Sequence, residues 1–149
     1  MDAEGDYVVT WTSNGQDGSG DGVYAQRYNA AGVAQGTEFR VNTTTTGNQW
    51  SSTVAMDAAG DFVVTWTSSG QDGSGHGVYA QRYNAAGVAQ GTEFRVNTTT
   101  ASDQCYSTVA MDATGDFVIT WSSYGQDGDT WGVYAQRYNA AGVAQGGEF

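Results

Sequence analysis

The 149-residue sequence predicts an all-β fold built from repeated four-stranded antiparallel sheets, and three observations carry that expectation. Met1-Asp2-Ala3 recurs as Met56-Asp57-Ala58 and Met111-Asp112-Ala113, so the chain repeats every 55 residues. Within each period, β-branched and aromatic runs alternate with glycine-rich turns. Proline is absent, while 22 glycines and many threonines, serines and asparagines suit tight turns. The copies are nearly identical: the run GVYAQRYNAAGVAQG stands at Gly22 to Gly36, Gly77 to Gly91 and Gly132 to Gly146. The chain reads as one array, with repeats over residues 1–55 and 56–110 and a partial third over 111–149.

The second copy displays the elements in order. Ser52 to Asp57 is a short β-prone run, strand A, closed by the turn residues Ala58-Ala59-Gly60-Asp61. Phe62 to Ser68 is strand B, aromatic and β-branched almost throughout, and it ends in the glycine-rich stretch Gly70 to Gly75. Val78 to Asn84 is strand C. Ala85 to Gly91 turns the chain back, since its two glycines, at about 1 kcal/mol each, outweigh the helical bias of its alanines. Glu93 to Asn97 is strand D, and Thr98 to Gln104 links to the next copy.

Alternation along strand B sets the architecture. Phe62, Val64 and Trp66 point to one face and Val63 and Thr65 to the other, so both faces want protein against them. Sheets stacked face to face about an axis meet that need, which makes these units blades of a β-propeller, whose repeats run to ~40–50 residues. The alternative is a linear β-solenoid or a string of small β-sheets. Strand D alternates Phe94 and Val96 with polar neighbours and belongs at the outer rim. The first copy begins after strand A and the third stops inside strand D, so the array has two open ends. Such ends are expected to drive assembly with further copies, two chains giving six blades.

Sixteen acidic residues face five basic ones, all arginine, for a net charge of -11. That balance argues against nucleic acid, whose affinity rests on basic contacts to phosphate, and against an anionic membrane surface. No apolar run is long enough to span a bilayer. Cys105 is the only cysteine and can staple nothing within the chain. His76 is the only histidine. No nucleophile and base, zinc set or phosphate loop can be assembled from these residues, so no enzymatic activity is expected.

Two candidate sites arise in the B-to-C loops. Asp17, Asp72 and Asp127, each in a Gln-Asp-Gly turn, offer carboxylates of the type calcium takes, with Asp21 and Asp129 as further ligands in two copies. The plain reading is an Asp-Gly turn whose carboxylate bonds its own backbone. Asp6, Asp61 and Asp116 fit hairpin turns, while Asp2, Asp57 and Asp112 could converge on a ring's central channel. Differences between copies gather in the same loops and in the linkers. Tyr124, Trp131, His76 and Trp50 are the residues there that could stack on or bond a glycan. Arg27, Arg82, Arg137, Arg40 and Arg95 are expected to pair across strands with Glu38, Glu93 or Asp side chains. Asn42-Thr43-Thr44 and Asn97-Thr98-Thr99 match glycosylation sequons.

Gly60 to Thr98, GDFVVTWTSSGQDGSGHGVYAQRYNAAGVAQGTEFRVNT, resembles the repeats scattered through very large secreted bacterial proteins. Proteins of that kind often carry calcium-binding or cadherin-like modules as well and are regarded as adhesins or surface proteins. The resemblance runs the length of the chain, with one departure: a proline often precedes the A-strand Val-Ala, whereas Thr53 and Thr108 stand here. It implies an extracellular or cell-surface location and a structural or adhesive role. A multivalent lectin-like propeller is the alternative.

Overall fold

Side chains of the turns fix where each strand begins. In the computed structural model, which describes all 149 residues, Asp57 Oδ1 accepts from the backbone N–H groups of Ala59 and Asp61 at 2.9 and 3.0 Å. Gly60 adopts φ +92°, open to glycine without strain, and the chain reverses into the next strand. Asp2 and Asp112 close the equivalent turns in the same way. Asp6, Asp61 and Asp116 each accept from the backbone N–H of Ala30, Ala85 or Ala140, tying the A–B turn to the C–D turn.

Ten strands result, in three antiparallel sheets with no helix. The first sheet orders β1 (Tyr7–Asn14), β2 (Asp21–Tyr28) and β3 (Ala34–Arg40). The second orders β4 (Gln49–Met56), β5 (Phe62–Ser69), β6 (His76–Tyr83) and β7 (Phe94–Arg95). The third runs β8 (Gln104–Met111), β9 (Phe117–Tyr124) and β10 (Trp131–Tyr138). There Phe149 and Ala135 exchange backbone hydrogen bonds at 2.9 and 3.0 Å, the pairing that Phe94 and Ala80 make in the second sheet.

Three boundaries differ from the sequence reading. Strand A starts at Gln49 and Gln104, ahead of Ser52, because a bulge between Trp50 and Thr53, and again between Cys105 and Thr108, carries the ladder onward. The bulge places Ser51 and Tyr106 at φ 54° and 56°, left-handed values that few bulky residues adopt. Trp50 and Cys105 therefore lie on strands, not in linkers. The C–D turn is shorter than Ala85 to Gly91. Asn84 Oδ1 accepts from Ala86 N–H and Val88 N–H, and Gln90 N–H already bonds Arg82 O. Strand D of the second sheet shrinks to two residues, whereas its equivalent in the first extends from Ala34.

The sheets stack in series, each offering a different face to each neighbour. Phe62, Val64, Trp66, Tyr79 and Tyr83 of the second sheet pack on Val23, Ala25 and Val41 of the first. Phe117, Ile119, Trp121 and Tyr138 of the third pack in the same way on Val63, Val78, Ala80 and Val96 of the second. One face of every sheet is thus aromatic and the other aliphatic, and aromatic meets aliphatic at both seams. Complete burial of side chains such as Phe62, Val64 and Ile119 stabilises by roughly 1.5 to 3 kcal/mol each. All of β5 except Ser69 is buried, as a strand apolar on both faces requires.

Candidate functional site

The B-to-C loops gather most of the chemistry singled out from sequence. Each is closed by backbone bonds, Gly70 N–H to Gly75 O at 2.8 Å and Gly73 N–H to Gly70 O at 3.2 Å in the second copy. Asp17, Asp72 and Asp127 accept through Oδ1 from the backbone N–H of Ser19, Ser74 and Asp129 at 3.1 to 3.2 Å. Their other oxygen leans on the following strand. A Cβ on Gly22, Gly77 or Gly132 would lie 2.7, 2.8 or 3.0 Å from it, which is why each of these strand positions is glycine. Burial, and then the Asp17 or Asp72 charge, push the Tyr24 and Tyr79 phenols above their ordinary value.

The loop is bound to the neighbouring sheet through a glutamate. Gln71 Nε2 donates to Glu93 Oε1 at 2.7 Å, and Glu93 also accepts from Thr43 N–H at 2.6 Å and Thr44 Oγ1 at 3.0 Å. Glu148 accepts from Gln126 and Thr98 N–H in the same fashion. The predicted Arg–Glu pairs do not form: Glu93 is engaged with the linker, and Glu38 accepts from Gln16 Nε2 at 2.6 Å. Arg40 and Arg95 donate to the carbonyls of Asn42 and Asn97, while Arg27 and Arg82 reach carbonyls of the next sheet's C–D turn.

Beneath the loops lies a buried amide network. Asn97 Oδ1 accepts from Val78 N–H at 2.7 Å, its Nδ2 donates to Thr99 O and Gln104 Oε1, and Gln104 Nε2 continues to Ala101 O. Asn42 and Gln49 repeat the pattern one copy earlier. Both asparagines are almost wholly buried, so in the folded chain the amides of the Asn42 and Asn97 sequons are engaged in structure and not exposed. The sequence signal for this network was present, an Asn and a Gln seven positions apart in both linkers, but a polar pair in a threonine-rich linker resembles any loop.

At the rim the three copies diverge, and the candidate residues stand at strand ends facing each other across the hairpin. The first pairs Asn14 with Asp21, joined by Asn14 Nδ2 to Asp21 Oδ1 at 2.9 Å. The second pairs Ser69 with His76, whose Nδ1 lies 3.2 Å from Asp103 Oδ1 and whose ring meets the edge of Trp50 at 5.0 Å. Asp103 was not foreseen. The third pairs Tyr124 with Trp131, exposed rings edge to face at 5.3 Å. Asp129 caps Thr130 N–H beside them. Asp17, Asp72 and Asp127 are thus dispersed, one per sheet, and nowhere do three histidine, cysteine, aspartate or glutamate side chains converge in metal-holding geometry.

No family model matches the chain and no curated protein is similar to it in sequence. Its likeness is structural. An endo-arabinase from Bacteroides thetaiotaomicron VPI-5482 has a similar crystal structure, at a TM-score of 0.55 and 13% identity. The match covers all of this chain and 60% of that one, so the chain spans less than two thirds of its neighbour. At that identity the likeness is one of fold: stacked antiparallel sheets.

Proposed function

We propose that this chain is a non-enzymatic structural or adhesive repeat module of a bacterial extracellular or cell-surface protein, its sheets being blades of a propeller-like stack. The observation that carries the reading is the use made of its polar side chains. The recurrent Asp and Asn residues close turns and linkers in copy after copy, Glu93 and Glu148 tie the loops to the linkers, and Arg27 and Arg82 join one sheet to the next. The serial aromatic-on-aliphatic stacking, and the fold shared with the endo-arabinase, support the blade reading. Extracellular placement rests on the resemblance of the repeat to those of secreted bacterial surface proteins.

The decisive experiment is incubation of the chain with arabinan and a panel of related polysaccharides, with assay of reducing ends. No release above the buffer blank is expected, and turnover abolished by a single carboxylate substitution would refute the reading.

A second reading, glycan binding, is favoured by the exposed Tyr124 and Trp131 rings at the rim of the third sheet. Edge-to-face aromatic pairs at a wet surface offer apolar area to a sugar ring. A glycan array probed with the wild type and Trp131→Ala would separate the two readings, since a structural module gives the same blank pattern for both.

A further inference from the structure

We propose that the outer face of the first sheet binds the outer face of the third sheet of a second copy, so that two chains close head to tail into a ring of six sheets. The proposal rests on the stacked-blade reading and not on any adhesive role.

Because the copies are nearly identical, each position can be followed through the array. Val64 and Ile119, on the aromatic faces that enter a seam, are 0% exposed, whereas Val9, their equivalent on the first sheet, is 44% exposed. On the aliphatic side Val23 and Val78 are 0% exposed and Val133 of the third sheet is 78% exposed. The two faces without a neighbouring sheet therefore match, position by position, the two halves of a seam that the chain already forms twice, although on the first of them Tyr24 is already covered by its own sheet. Tyr7, Trp11, Tyr24 and Tyr28 stand where Phe62, Trp66, Tyr79 and Tyr83 make the first seam.

Polar partners at the seams follow the same rule. Arg27 donates to Ala86 O, and Arg82 donates to Ala140 O and Ala141 O at 2.6 and 2.7 Å. Arg137, the last of the series, is exposed and donates to nothing, and no side chain donates to the carbonyls of Ala30 and Ala31. Around Arg137 an open cleft is lined by Met111, Asp112, Val118 and Tyr138. The corresponding place on the second sheet is filled by the Thr114-Gly115 turn and Ala140 of the third. The Glu4-Gly5 turn and Ala30 of a second copy match that filling.

Ring size follows from arithmetic. Seams that join unlike faces propagate until the rotation closes, and rings of blades typically hold ~4 to 8. For the 149-residue chain, with its three sheets, six is the one multiple of three in that range and corresponds to two chains.

Size-exclusion chromatography with light scattering on the micromolar chain tests this. The expected mass is twice the 15.7 kDa of one chain. A single-chain mass overturns the proposal, and a ladder of higher masses overturns the closed ring. Val9→Arg and Val133→Arg, each on an exposed face, are expected to leave the β spectrum unchanged and yield single chains. Mixed in equal amounts they should recover a pair through the one intact seam. Loss of pairing in Val9→Arg alone would mean that first sheets meet each other, and the head-to-tail arrangement falls. A wild-type single chain that still melts cooperatively with a β spectrum sinks the pairing and leaves the stacked blades standing. Absence of that spectrum removes both.

Discussion

Thr65 Oγ1 lies 3.0 Å from Ser107 Oγ, a buried contact that joins β5 of the second sheet to β8 of the third. Thr65 is also 2.9 Å from Tyr79 O, so the single Thr65 proton goes to that carbonyl and Ser107 donates to Thr65. The pair is one of the few polar contacts inside a seam that is otherwise apolar.

Thr65→Val keeps the shape of the side chain and strands the Ser107 hydroxyl, and a loss of about 1 to 3 kcal/mol in urea unfolding is expected. Adding Ser107→Ala should recover much of it. Thr10→Val is the control: Thr10 is only part-buried and bonds no hydroxyl, so its change should stay within about 0.5 kcal/mol. Equal effects at Thr10 and Thr65 would contradict the seam described above.

Alkaline pH should weaken the stack. Burial, and then the Glu148 charge, push the Tyr138 phenol from its ordinary 10.0 up to about 12, and burial, then Glu93, raise Tyr83 further. A phenol that loses its proton more readily unfolded than folded stabilises the fold fully below pH 10. That contribution declines as pH rises from 10 toward 12. Urea midpoints measured across this window should fall steadily, while midpoints that stay flat would mean the two phenols are open to solvent.

Cys105 is 5% exposed, and burial, with a smaller push from Asp103, lifts its thiol to about 11. Both effects suppress the thiolate at neutral pH. Maleimide labelling of the native chain is expected to be slow and to become complete in denaturant. Rapid native labelling would show that β8 opens readily.

Calcium should leave the melting temperature unchanged. Asp72 Oδ2, Gln71 Oε1 and Gln126 Oε1 are the buried acceptors without partners in the loops. At most two to a loop, they fall short of the 6 to 8 oxygens calcium takes. Melts in millimolar calcium and in chelator should coincide. A separation of several degrees would show that the Asp17, Asp72 and Asp127 loops hold metal.

Much of the fold was legible because its strands obey a period of two. Phe62, Val64 and Trp66 against Val63 and Thr65 announced a sheet covered on both sides, and β5 is buried as that pattern demands. The Gly60 and Asn84 turns were legible as turns, though not their lengths, which depend on how many backbone N–H groups one side-chain oxygen can hold. The bulges at Ser51 and Tyr106 left no mark in composition, since the residues that adopt left-handed φ there are not glycine. The rim was legible as a place of variation. That Glu93 would bond Thr43, fifty positions away, and not a nearby arginine depends on sheet stacking, which no local pattern encodes.

Near-identity of the copies has a consequence for how the chain reaches this structure. β2, β6 and β10 share the run Gly-Val-Tyr-Ala-Gln-Arg-Tyr, and each would pair with β1, β5 or β9 in the same register. Away from the rim pairs, side chains hardly distinguish the correct partner from the two wrong ones. Only the brevity of the loops at 15–20, 70–75 and 125–130 favours the neighbour, by the lower entropy of closing a short loop. During refolding at high concentration, strands of different molecules compete on nearly equal terms, so exchanged hairpins are the characteristic error of this chain. Their yield should rise with chain concentration and fall when one copy's strands are recoded with different residues of the same pattern.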